Sequence, residues 1–280
     1  MAYKTIAVIV TDTVADAPAL IAAAEIAVRE RAHLDVHALG IDPARYEAMP
    51  VGAAGVVLES GIDDARQQAD DLVEWAEGML AAYDLSPVVA PAVVTTLGLD
   101  GTVARLARYA DLVVAAQPYG EAATQLQVLT LEAALFGTGA PVMVVPRVAC
   151  DFTTRFDRAV IAWDESDECL ESVRKALPVL RGADHTDIVM VDPPSHSPER
   201  SDPGGVLCLM LARQGVKSEV SILAKTLPRV SAVVNRFVAE HGSKVIIMGA
   251  YGHSRVREAV LGGATREMLE SAKVPIVMTH

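Results

Sequence analysis

Residues 249–265 read GAYGHSRVREAVLGGAT, which sets four glycines, Gly249, Gly252, Gly262 and Gly263, around His253, Arg255 and Arg257. Glycine has no Cβ, so backbone N–H groups beside it can reach an anion that a side chain would hold off. A helix starting after Gly262 and Gly263 would add the positive end of its dipole, favourable to an exposed anion by about 0.3–1 kcal/mol. The chemistry this pattern permits is phosphate binding, with His253 and Arg255 at the entrance. The same glycines also suit helix caps and tight packing, and the basic residues also suit a solvated surface.

A second group stands at Ala162, Trp163 and Asp164, where FDRAVIAWDES (156–166) leaves an apolar run. A carboxylate at a strand end can accept a hydrogen bond from a ribose hydroxyl or an adenine amino group. Trp163 has two readings, stacking on a base or packing in the core.

These residues need elements to hold them. Residues 243–249 and 156–163 read as buried strands, and in an open parallel sheet ligands bind beyond the carboxyl ends of strands where strand order reverses. Asp164 and Gly249 are therefore expected to face one crevice.

The chain repeats itself. YKTIAVIVTD (3–12) matches 156–166, aligning Asp12 with Asp164. Residues 110–120 match 243–252, and 140–147 match 274–280. The first half is the longer, and its excess is expected within the glycine-rich, poorly periodic stretch 47–68.

Strand-length apolar runs at 6–10, 34–39, 88–94, 112–116 and 142–145 alternate with helical patterns. In one helix Asp16 is the expected N-cap and Pro18 sits in the first turn, with Leu20, Ala24, Ala27 and Val28 on one face. Another places Ala65, Ala69, Leu72, Ala76 and Leu80 together.

Alternation of this kind predicts an α/β fold of two tandem open parallel-sheet sandwiches related by internal duplication. The boundaries are expected at 1–148 and 153–280. The Pro-, Ser- and Gly-rich stretch 192–205 reads as a loop within the second domain.

Composition narrows the function. The 280 residues are 51% apolar and carry a formal net charge of −12, which disfavours nucleic acid and anionic membrane surfaces as partners. Cys150, Cys169 and Cys208 are widely spaced and make no zinc motif. With no signal pattern and no long apolar run, a cytoplasmic protein is expected.

The duplicated halves, the Asp closing the first strand, and G-x2-G-x9-G (Gly249, Gly252, Gly262) ahead of a helix and a final VPIV strand resemble the universal stress protein family in its tandem two-domain form. The resemblance covers essentially the whole chain. It implies a Rossmann-like fold of the adenine-nucleotide alpha hydrolase type and a regulatory module that binds ATP or AMP, with Mg a companion that the sequence does not specify.

Carried over by position, the resemblance assigns Ala162, Trp163, Asp164, Val191 and Met248 to the adenine and ribose. It assigns Gly249, Gly252, His253, Gly262, Gly263 and Thr265 to the phosphates, with Arg255 beside them. ATP-binding members have Ser or Thr where this chain has Gly263, so one phosphate hydroxyl is absent; Thr265 follows two residues on.

The first half departs further. Gln117 and Pro118 stand where the second half has Gly249 and Ala250, and proline removes a backbone donor where phosphate would need one. This half is expected to be degenerate and to serve structure, dimerisation or another ligand.

Motifs for dedicated catalysis are missing. No P-loop, dinucleotide loop, nucleophile elbow or zinc-protease motif occurs, so at most slow ATP hydrolysis is expected. The competing expectation is a dimerisation or interaction scaffold that binds no nucleotide. Residues 141–146 and 275–279 read as edge strands that pair within the chain as a pseudo-dimer, with a homodimer as a further assembly.

Overall fold

The computed structural model describes residues 3–42, 54–120, 123–193, 202–250 and 263–280, and the side chains of all of these except 54–60. Two compact units divide at residue 140, and each is an α/β layer structure. Among the described residues no helix is long and apolar enough to cross a membrane.

The first unit runs β1 (Thr5–Val10), α1 (Ala17–Glu30), β2 (His33–Asp42), α2 (Ala54–Leu80), β3 (Val88–Thr95), α3 (Leu99–Ala107), β4 (Leu112–Ala116) and α4 (Gln125–Gly137). Its strands pair in parallel in the order β3-β2-β1-β4. Order reverses between β1 and β4, so the carboxyl end of β1 lies at the switch point. The expected strands are all present.

Two details of the helices differ from expectation. Asp16 occupies the N-cap position of α1 with Pro18 behind it, but its carboxylate makes no cap hydrogen bond. Instead Oδ2 accepts from the Thr11 N–H (2.7 Å), the Thr11 hydroxyl (2.9 Å) and the Asp12 N–H (3.1 Å). The end of β1 competes for the carboxylate and wins, because the two Thr11 donors are buried and would otherwise lack an acceptor. Burial raises the Asp16 pKa, partly opposed by these hydrogen bonds.

Val28, expected on the apolar face of α1, is 41% exposed, while Ala22, Ala23 and Ile26 are fully buried. The buried arc of this Ala-rich helix is wide but ends before its last turn. In α2 the expected face of Ala65, Ala69, Leu72, Ala76 and Leu80 is buried as read. The helix also extends back to Ala54 through the stretch read as poorly periodic, since a helix nucleated by its strong half propagates cheaply. Residues 43–53 of that stretch lie outside the described residues.

The second unit runs β5 (Val142–Val145), β6 (Arg158–Ala162), α5 (Asp167–Lys175), α6 (Leu177–Leu180), β7 (His185–Val191), α7 (Gly205–Arg213), β8 (Ser218–Leu223), α8 (Val230–His241), β9 (Val245–Gly249), α9 (Gly263–Ser271) and β10 (Ile276–Thr279). Its strand order is β5-β10-β9-β6-β7-β8, parallel except that β5 runs antiparallel to β10. Within the stretch read as a loop, 194–201 lie outside the described residues.

The central strands β6, β9 and β10 are apolar on both faces: Val160, Ile161, Val245, Ile246, Ile247 and Val277 are fully buried. Such strands require helices on both sides. α5 carries Asp167 and Glu168 in its first turn and Arg174 and Lys175 in its last, matching its dipole.

Candidate functional site at the carboxyl ends of β6 and β9

Register brings the predicted residues to one edge. Ile161 of β6 pairs with Ile247 of β9, so Ala162 and Trp163 leave the sheet beside Met248 and Gly249. Val191 ends β7 on the other flank of β6. Strand order reverses between β6 and β9, making this the switch point of the second unit. Gly263 opens α9, which follows β9 in the chain; it is exposed, and Thr265 in the same first turn is buried. Gly252, His253, Arg255 and Gly262 lie outside the described residues.

Asp164 is exposed and builds the turn into α5. Its Oδ1 accepts from the Ser166 hydroxyl (2.6 Å) and N–H (3.1 Å), and the Ser166 hydroxyl in turn accepts from the Cys169 N–H (3.1 Å) to cap the helix. Glu165 between them has φ of 65°, a left-handed position in a tight turn. Among the described residues Oδ2 of Asp164 carries no hydrogen bond, which leaves one carboxylate oxygen for a ligand hydroxyl.

Asp12 does the same in the first unit, where Oδ1 accepts from the N–H groups of Val14 (2.8 Å) and Ala15 (2.7 Å). The repeated Asp therefore has a local structural task in both halves.

Gly249 is required by packing. A Cβ there would lie 2.7 Å from the Cys169 backbone nitrogen and 3.1 Å from Cys169 Cα, inside the first turn of α5. Gly263 is different, because a Cβ there would meet nothing within 4 Å. Trp163 is 7% exposed, and its indole N–H is buried with no acceptor among the described residues. That burial suits the core reading of Trp163, with a donor left at the strand end. Cys169, beneath the same turn, is fully buried; desolvation pushes its thiol up beyond any reactive range.

The corresponding edge of the first unit is built differently. Thr124 and Gln127 form a capping box on α4, with Gln127 Oε1 accepting from the Thr124 N–H (2.8 Å). Gln127 Nε2 then donates to the Thr11 hydroxyl (3.1 Å) at the end of β1. The helix end that an anion would need already serves the protein. A cleft of about 370 Å³ nearby is lined by Asp12, Asp64 and Asp71, which repel phosphate.

Sequence reasoning missed this Thr11–Asp16–Gln127 network. It also missed a charged group at the opposite, amino ends of the second unit's strands, formed by Arg158, His185, Asp187 and Glu219. The available signal was His-x-Asp at the start of the otherwise apolar run HTDIVMV, since alternate residues share a sheet face.

No family model matches the chain. Universal stress protein Slr1230 of Synechocystis is 27% identical over 142 residues, which are 49% of this chain and 46% of that protein. The chain thus spans about half the length of this curated relative. A universal stress protein of Archaeoglobus fulgidus has a similar solved structure, with TM-score 0.69 and 14% identity over 98% of this chain and 95% of that one. A putative universal stress protein of Pseudomonas aeruginosa aligns with TM-score 0.57 and 14% identity over 99% of this chain and 93% of that one.

Proposed function

We propose that this chain is a member of the universal stress protein family and binds one adenine nucleotide, ATP or AMP, in its second half (153–280). The nucleotide would lie at the carboxyl ends of β6 and β9. The observation that carries this reading is the convergence at the switch point: Trp163, Asp164, Val191, Met248 and Gly249 meet at one strand edge, and the exposed Gly263 opens the helix that follows β9.

In this reading Asp164 keeps Oδ1 in its turn and offers Oδ2 to a ribose hydroxyl. Ala162, Val191 and Met248 supply apolar contact for the base, and the buried Trp163 holds the strand end between Ala162 and Asp164. The phosphates would meet Gly252, His253, Arg255 and Gly262 together with Gly263 and Thr265 at the start of α9, with Mg as a companion ion. The first half (1–148) serves as a structural partner whose helix end is closed by Gln127.

Occupancy acts by biasing conformation or association, including homodimer formation, of a cytoplasmic protein. A ligand can do so only through unequal affinity for the two states. The test is to denature the purified protein and identify what is released by chromatography and mass. Adenine nucleotide near one per chain supports the reading, and protein that neither carries nor takes up nucleotide removes it.

The second reading is a scaffold of the same family that binds no nucleotide. It is favoured by one observation: Gly249 and Asp164 both have structural tasks, in the packing of α5 and the turn before it.

A further inference from the structure

From the amino ends of β6, β7 and β8 we infer a divalent-metal site of the zinc class, formed by His185, Asp187 and Glu219 at the opposite end of the strands from the proposed nucleotide edge. Asp187 pairs in register with Glu219 on β8, and Arg158 on β6 pairs with His185. His185 and Asp187 are alternate residues of β7, so all four side chains share one face.

His185 Nε2 lies 3.2 Å from Asp187 Oδ1 and 3.4 Å from Glu219 Oε1. One ligand atom from each of the three residues falls within 4.8 Å of the others. A tetrahedral ion with bonds of about 2.0–2.2 Å to nitrogen and oxygen sets neighbouring ligand atoms about 3.3–3.6 Å apart, a spacing that the two imidazole–carboxylate distances already approach.

As hydrogen bonds the same contacts are poor. One imidazole nitrogen can give one proton, yet it faces two carboxylate oxygens, both beyond the roughly 2.7–2.9 Å of charge-assisted bonds. Asp187 and Glu219 are also directly opposed carboxylates on neighbouring strands, and the Arg158 guanidinium forks only Asp187.

Arg158 completes the site from behind. Its Nε donates to Asp187 Oδ2 (2.7 Å) and its Nη2 to Oδ1 (2.9 Å), a fork that fixes the carboxylate while leaving lone pairs on Oδ1. Asp187 is fully buried, whereas the His185 and Glu219 side chains are 33% and 62% exposed, so the ion enters from solvent past the latter two. One imidazole with two carboxylates favours a late first-row divalent ion over magnesium or calcium. A water fills the fourth position.

The experiment is calorimetric titration of Zn²⁺ into the 280-residue chain after treatment with chelator and desalting, alongside His185→Ala, Glu219→Gln and a control at the exposed His33, His33→Ala. One site per chain is expected, weakened at least tenfold in each of the first two variants and unchanged in the control. Glu219 is mostly exposed, so Glu219→Gln keeps the fold if His185→Ala does not, and circular dichroism checks both. No saturable Zn²⁺ binding by the wild type, or binding that survives both substitutions because the ion sits elsewhere on the chain, overturns the assignment.

Discussion

Replacing Gly249 with alanine tests what that glycine does. The new methyl group would stand 2.7 Å from the Cys169 backbone nitrogen, where ordinary contact begins at 3.4 Å. The first turn of α5 would therefore have to retreat by about 0.7 Å. It cannot do so freely. Ser166 caps it through the Cys169 N–H at 3.1 Å, and the Ser172 hydroxyl further along accepts from the Thr279 N–H at 2.8 Å. Overpacking of this kind costs about 1–3 kcal/mol, and weakening the cap adds about 1, for a loss of about 2–4 kcal/mol. The assay is urea unfolding followed by Trp163 emission in a Trp75→Phe background, so that only the second unit is read. Gly263→Ala is the paired control: its Cβ meets open space in a helical first turn, so it is expected to be neutral or stabilising by up to about 1 kcal/mol. A Gly249→Ala loss below about 0.5 kcal/mol would refute the packing argument.

Three further outcomes are expected. Arg158→Met leaves the fully buried Asp187 without its guanidinium fork and should cost about 3–5 kcal/mol at neutral pH in the same urea assay; a loss under about 1 would mean that solvent replaces the arginine. His37 is half-buried in β2 and desolvation lowers its pKa, opposed by Asp35, so its contribution to stability is present above the usual histidine value of about 6.5 and fades as pH falls through its lower folded value. A pH series of melting temperatures should show this acid loss in the wild type and less of it in His37→Phe, and parallel profiles would contradict the assignment. Gly263→Ser adds a hydroxyl at the start of α9, beside the proposed phosphate position, and should tighten ATP binding about tenfold, the scale of a hydrogen bond to a charged group; unchanged affinity would separate that position from the phosphates.

Much of the scaffold was legible because β1, β4, β6 and β9 are unbroken apolar runs, which only a doubly covered parallel sheet can bury. The internal repeat made the two halves legible together. What periodicity could not show was competition for hydrogen bonds. Asp16 reads as a helix cap, but the donors at the end of β1 take its carboxylate. Asp164 reads as a ligand group, yet it and its repeat counterpart Asp12 each first satisfy the turn that launches a helix. Gly249 reads as part of a phosphate loop, and its neighbour turns out to be a helix backbone far away in the sequence. In each case the missing information was three-dimensional: which unpaired donor or which backbone stands next to the residue. The charged group on β6, β7 and β8 was legible in principle, since a His and an Asp two apart in an apolar strand must share a face and find partners there.

Calorimetric titration of ATP into nucleotide-free wild type and Gly252→Val protein decides whether a nucleotide binds the second half. One site per chain is expected in the wild type and none in the variant. No binding by the wild type at millimolar ATP, or equal binding by both proteins, would contradict it.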